Sequence, residues 1–125
     1  MSARTLLVVD SYPAARQALA DLLRESGYAV REAHNGMEGL RIARDAAPDL
    51  VLVDLWPFFS ASVQLMERLR ASRGSEPVPV LVVTSVVDAH HRDRALAAGC
   101  SGFLEKPCAP QAVLSEVQRI LGAPN

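Results

Sequence analysis

Four strand-like apolar runs in this 125-residue chain are followed by polar side chains whose types suit one kind of chemistry. Asp10 follows Leu6–Val9, Asp54 follows Leu50–Val53, Thr84 and Ser85 follow Val80–Val83, and Glu105 and Lys106 follow Gly102–Leu104. A carboxylate can act as a nucleophile and carry a phosphoryl group. A second carboxylate can help hold Mg²⁺, which takes oxygen ligands and keeps several waters. An ammonium neutralises phosphoryl oxygens, and a hydroxyl donates a hydrogen bond to one of them. Asp10, Asp54, Thr84 and Lys106 in one crevice would therefore suit transfer of a phosphoryl group to an aspartate. Singly, an aspartate after a strand is most often a turn or capping residue. The signal is four such groups at four strand ends.

The elements that must bring them together alternate along the chain. The strong runs are apolar on consecutive positions, as in a strand covered on both faces of a parallel sheet. Tyr28–Arg31 and Gly102–Leu104 are weaker runs of the same kind. Between the runs lie helical patterns. The first has Pro13 in its opening turn, carries Ala15, Leu19, Leu22 and Leu23 on one face, and stops at Gly27. The second spans about 36–46, with Met37, Leu40 and Ala43 inward. The third carries Leu65, Met66 and Leu69. The fourth opens at Asp88, a good N-cap, and closes at Gly99. The fifth begins near Pro110 and carries Val113, Val117, Ile120 and Leu121. Right-handed crossovers between such pairs predict an α/β fold, a doubly wound five-stranded parallel sheet with helices on both faces. With the strand order 2-1-3-4-5, Asp10 and Thr84 flank Asp54 at about 4.8 Å per strand, and the long stem of Lys106 crosses the remaining gap.

Composition narrows the function classes. Half the residues are hydrophobic and 22% are charged, which suits a packed domain rather than a disordered chain. One domain over residues 1–125, with a core at about 5–121, is expected. A formal net charge of −1 gives no general attraction to nucleic acid or to an anionic membrane. The densest basic group, Arg68, Arg70 and Arg73, reads as the solvated side of a helix. The two cysteines, Cys100 and Cys108, do not make a disulfide framework. With no leader and no span-length apolar run, the cytoplasm is the expected location. His90 and His91 have no partners at metal-ligand spacing and read as surface residues.

These stretches resemble the receiver domains of two-component response regulators. The likeness runs from about Thr5 to Leu121. It is carried by Leu-Leu-Val-Val-Asp at 6–10, Glu-Ser-Gly-Tyr at 25–28, Ala-His-Asn-Gly-Met-Glu-Gly-Leu at 33–40, Pro-Asp-Leu-Val-Leu-Val-Asp-Leu at 48–55, Val-Pro-Val-Leu-Val-Val-Thr-Ser at 78–85 and Ala-Ala-Gly-Cys-Ser-Gly-Phe-Leu-Glu-Lys-Pro at 97–107. The resemblance implies that Asp54 is the phosphoacceptor, served by a histidine kinase or phosphotransfer protein. It implies that Thr84 and Lys106 contact the phosphoryl group, and that Phe103 is the switch aromatic whose burial follows Thr84. Mg²⁺ would be held by Asp10, Asp54 and the backbone carbonyl of Trp56. The Lys106–Pro107 peptide is expected to be cis. The output is a changed surface of the fourth helix, fifth strand and fifth helix, offered to a protein partner or a second copy. Direct nucleic-acid or membrane binding is not expected, and neither is enzymatic turnover beyond the family's own aspartyl-phosphate chemistry.

The chain departs from the family in three places. Where the family has a second acid after strand one, directly on the metal, this chain has Ser11, so Mg²⁺ binding is expected to be weak. In the loop after the acceptor, Pro57 comes one residue early and Ser62 stands for a glycine. Trp56, Phe58 and Phe59 are expected to form an apolar lip beside the site. These departures leave an alternative, a phosphorylation-independent pseudo-receiver that acts as an interaction module. Two other folds of similar pattern fit less well. A haloacid-dehalogenase-type phosphatase needs an acid where Tyr12 stands, and a flavodoxin needs a glycine- or hydroxyl-rich loop where this chain reads Ser-Tyr-Pro-Ala-Ala.

Overall fold

The computed structural model describes residues 3–72, 77–86 and 88–122; Arg73 and the tail after Gly122 lie outside them. The element order is β1 (Thr5–Val9), α1 (Pro13–Glu25), β2 (Ala29–Ala33), α2 (Gly36–Ala46), β3 (Leu50–Val53), α3 (Phe59–Ser72), β4 (Val80–Thr84), α4 (Ala89–Ala97), β5 (Gly102–Glu105) and α5 (Pro110–Leu121). The strands form one sheet in the order β2-β1-β3-β4-β5, and every pairing is parallel. The expected fold class and strand order are therefore both found. Several strand ends differ from expectation: β1 begins one residue earlier at Thr5, β2 begins one residue after Tyr28 and runs on to Ala33, and Thr84 and Glu105 lie inside β4 and β5 rather than after them.

The unbroken apolar runs are explained by two cores. Leu7, Val9, Val51, Val53, Val80 and Val82 point to one face, where residues of α2, α3 and α4 cover them. Leu6, Val8, Leu50, Leu52, Leu81 and Val83 point to the other, under α1 and α5. Alternate residues of β1, β3 and β4 thus serve opposite cores, while the edge strands β2 and β5 keep exposed positions such as Arg31 and Glu105.

The helix boundaries follow local chemistry. Asn35 and Asp88 cap α2 and α4, their side chains accepting from the backbone N–H groups of Glu38 and His91. Pro13 and Pro110 stand in the first turns of α1 and α5. Gly27 and Gly99 follow α1 and α4 with φ of +99° and +95°, a backbone region that only glycine enters freely.

Two inward assignments need correction. Met37 is 82% exposed, and Ala15 is also exposed. The buried face of α2 is Gly36, Gly39, Ile42 and Ala43, and Met37 lies one residue round from it. Small residues lead that face because the helix lies very close to its neighbours. A Cβ on Gly36 would sit 2.6 Å from the Ala61 carbonyl oxygen of α3, and one on Gly39 would sit 3.0 Å from Val9 Cγ2. Gly36→Ala is accordingly expected to destabilise the fold by about 1–3 kcal/mol through overpacking. Urea unfolding measures this, and an unchanged midpoint would contradict the close approach.

Candidate functional site

The strand ends bring the four sequence-predicted side chains together. Asp10 leaves β1, and its backbone N–H donates to Ala33 at 3.0 Å. Asp54 leaves β3, and its N–H donates to Val9 at 3.0 Å. Thr84 ends β4, and Lys106 follows β5 with its N–H bonded to the Thr84 carbonyl at 2.8 Å. Each side chain is therefore placed by a backbone bond to the neighbouring strand. Lys106 Nζ donates to Asp54 Oδ2 at 2.9 Å and to Asp10 Oδ2 at 3.0 Å. Thr84 Oγ1 donates to Asp54 Oδ1 at 2.7 Å. The backbone N–H groups of Trp56 and Tyr12, each 2.9 Å away, occupy Asp54 Oδ1 and Asp10 Oδ1.

Among the described residues, the buried polar side chains are Asp10, Asp54, Ser62 and Thr84. All four belong to this one corner of the molecule. Buried carboxylates are costly without partners, and here one ammonium is shared between two of them. Burial by itself would pull the Lys106 pKa down. Hydrogen bonds and charge from Asp54 and Asp10 outweigh it and hold the ammonium above the ordinary lysine value. Lys106 keeps 28% of its side chain exposed while Asp54 keeps 4%, so the lysine lies on the more open side of the Asp54 carboxylate.

Comparison with known proteins agrees with this geometry. The family model of the response regulator receiver domain matches residues 6–118. The chain belongs to the response regulator receiver family. This receiver is 31% identical over 121 residues to the response regulator MprA of Mycobacterium ulcerans, covering 97% of the chain and 51% of that protein. It is 25% identical to the phosphate regulon transcriptional regulatory protein PhoB of Pseudomonas aeruginosa, covering 53% of it. It thus spans about half the length of both relatives. The polar-differentiation response regulator DivK of Brucella anthropi is 24% identical and is covered over 97% of its length. Among solved structures, the chemotaxis protein CheY4 of Vibrio cholerae superposes with a TM-score of 0.87 at 27% identity, covering 96% of this receiver and all of CheY4. A putative response regulator of Chloroflexus aurantiacus gives 0.86 at 30% identity, with 96% and 98% of the two chains covered.

Receiver domains normally bind Mg²⁺ at their acidic pocket. The donors of this receiver are two carboxylates, Asp10 and Asp54, with Ser11 half-buried beside Asp10. Among the described residues, no cluster of three or more His, Cys, Asp or Glu is placed to hold a metal. A cationic group, the Lys106 ammonium, already bridges the two carboxylates. The pocket thus offers a divalent cation two carboxylates, one acid fewer than the family pattern, and the Lys106 ammonium already occupies an oxygen of each.

The altered loop shows what the sequence could not. The Ser62 hydroxyl, where the family has glycine, is buried and donates to the Asp54 backbone carbonyl at 3.2 Å. Arg16 donates to the Asp10 carbonyl at 3.0 Å and pairs with Glu32. Neither role had a sequence signal beyond the residue itself. The Trp56–Pro57 and Lys106–Pro107 peptides are both cis. Of the expected lip, Trp56 and Phe58 are 52% and 61% exposed. Phe59 is not part of it: it packs on the core and meets the His91 ring edge-on at 4.5 Å. His91 is also held by Asp88, so it is more than a free surface residue. Phe103 is half-buried, with the Arg92 guanidinium 5.1 Å over its ring. Arg70, one of the basic group, donates to the Ala97 carbonyl at the end of α4. Among the described residues, no helix is long and apolar enough to cross a membrane.

Proposed function

We propose that this receiver, read as one unit, accepts a phosphoryl group on Asp54 from a histidine kinase or phosphotransfer protein. The observation that carries the reading is the pair of contacts on Asp54: Lys106 on one carboxylate oxygen, Thr84 on the other. Attack by Asp54 Oδ2 forms the new P–O bond as the bond to the donor's leaving group breaks. That oxygen is freed when the flexible Lys106 stem swings from it onto the incoming phosphoryl oxygens. Thr84 donates to one of those oxygens once released from Oδ1. Asp10, Asp54 and the Trp56 carbonyl would hold Mg²⁺, which supplies charge neutralisation on the phosphoryl group. Thr84 and Phe103 then settle into the phosphorylated arrangement, and the α4–β5–α5 surface is the output offered to a protein partner or second copy. Receiver domains of this kind are signalling switches, generally not enzymes.

The test is incubation with Mg²⁺ and a small phosphodonor, or with a cognate kinase, followed by intact mass. A phosphoryl adduct absent in Asp54→Asn is expected. A second reading, the phosphorylation-independent interaction module in the same cytoplasmic setting, is favoured by Ser11 and by carboxylate oxygens that are all hydrogen-bonded already. No adduct with either donor would select it. Trp56, exposed two residues after the acceptor, should shield the aspartyl-phosphate from water. Trp56→Asn is expected to dephosphorylate several-fold faster, on the order of the modest factors single contacts give; an unchanged or slower decay would contradict this shielding.

A further inference from the structure

The helices α2 and α3 lie side by side on one face of the sheet, and the Gly36–Ala61 approach shows that their first turns meet. Between them runs a groove of about 490 Å³. Leu40 and Leu65 line its middle, and Arg41, Arg44 and Arg68 line its far end. At the near end it continues into a hollow of about 680 Å³ that shares Met37 and Ala61 and is bordered by Pro57 and Phe58. The result is one track, apolar beside the acceptor loop and basic a few turns away. Met37 and Phe58, on its apolar end, are among the most exposed large hydrophobic residues described.

The basic end is unbalanced. Among the described residues, the side chains of Arg41, Arg44 and Arg68 have no hydrogen bond or salt bridge within the fold; Arg41 feels the field of Glu38, three residues before it. Asp45 shares the groove with them and Glu38 lies within the field of Arg41, so three guanidiniums meet two carboxylates locally while the chain as a whole carries −1. This charge is a property of the track and not of the molecule. Arg68 thus differs from Arg70, which is turned to the end of α4.

We propose that this track seats an amphipathic helix of a partner protein, with apolar side chains over Met37 and Phe58 and acidic side chains against Arg41, Arg44 and Arg68. A groove between two helices accepts the ridges of a third, and an amphipathic helix laid in an apolar groove is a recurrent mode of recognition. From Met37 to Arg44 the groove rises roughly 10 Å, about two turns, and with the adjoining hollow at Phe58 a partner helix of about three turns covers the track. Methionine suits such a surface because its thioether repacks readily. The apolar half separates this occupant from a polyanion, which would use the arginines alone. The proposal goes beyond phosphoacceptance, because it places a partner on α2–α3 rather than on α4–β5–α5.

The test is a titration of the ¹⁵N-labelled chain with a synthetic helical peptide of about three turns, leucine-rich at its start and glutamate-rich at its end. Saturable amide shifts along α2, α3 and the 55–58 loop are expected. Arg44→Glu with Arg68→Glu, both exposed positions, is expected to weaken binding about tenfold or more with the remaining amide spectrum unchanged. Met37→Asp should weaken it in the same way. The proposal is overturned by no saturable shift up to about 1 mM peptide, by shifts on another face, or by equal binding of a polyglutamate peptide or an RNA oligomer.

Discussion

Replacing Lys106 with methionine is expected to slow phosphoryl transfer to Asp54 by about 10²–10³-fold, the usual loss when one preorganised charge-stabilising donor is removed. The expectation rests on geometry. One ammonium touches both carboxylates, at 2.9 and 3.0 Å, and stands on the open side from which a donor must approach. Methionine keeps the stem and its packing but removes the charge, so the fold should survive. It should nonetheless be weaker by about 1–3 kcal/mol, less than for a fully buried pair because Lys106 is partly exposed. The direction of the pH dependence follows. The Lys106 pKa is raised in the folded chain, against the burial that opposes it, by Asp54 and Asp10. Its contribution is therefore fully present below the unfolded lysine value of about 10.4 and is lost as pH rises through the higher folded value. Urea unfolding of wild type and Lys106→Met across that range should show a constant gap that closes only at strongly alkaline pH. A gap that closes at neutral pH would assign the effect to another group.

Ser11→Asp is expected to tighten Mg²⁺ binding by about 10–100-fold or more. Loss of a mere supporting contact to a metal ligand costs that much, and a direct anionic ligand is worth at least as much. A third acid would also shift the competition with Lys106, since one ammonium would then face three carboxylates. Trp56 is the chain's single tryptophan, and its backbone N–H is bonded to Asp54 Oδ1, so its fluorescence reports binding without any turnover. Equal Mg²⁺ titrations for wild type and variant would show that residue 11 does not reach the cation.

Much of this was legible because parallel strands declare themselves. Leu50–Val53 and Val80–Val83 are apolar at every position, as in a strand covered on both faces of a parallel sheet, and in such a sheet the polar residues ending the runs lie on one edge. Lys106 was legible through the reach of its stem. Close packing was not. Met37 occupies a position where a helical stripe predicts burial, yet the sheet side of α2 is set by Gly36 and Gly39, whose value lies in the atoms they lack. Ser62 could be seen to replace a glycine, but its bond to the Asp54 carbonyl depends on where the first turn of α3 falls. Phe59 looked like its exposed neighbours Trp56 and Phe58, because three aromatic rings within residues 56–59 do not reveal which one turns inward.

The most direct measurement is chemical trapping of the phosphorylated residue. After reaction with a phosphodonor and Mg²⁺, borohydride reduction converts an aspartyl-phosphate to homoserine, and peptide mapping then locates it. Homoserine at position 54, lost when Mg²⁺ is chelated and absent in Lys106→Met over the same interval, is the predicted result. Trapped homoserine at another aspartate, or none after exposure to both a small donor and a cognate kinase, would contradict Asp54 as the acceptor.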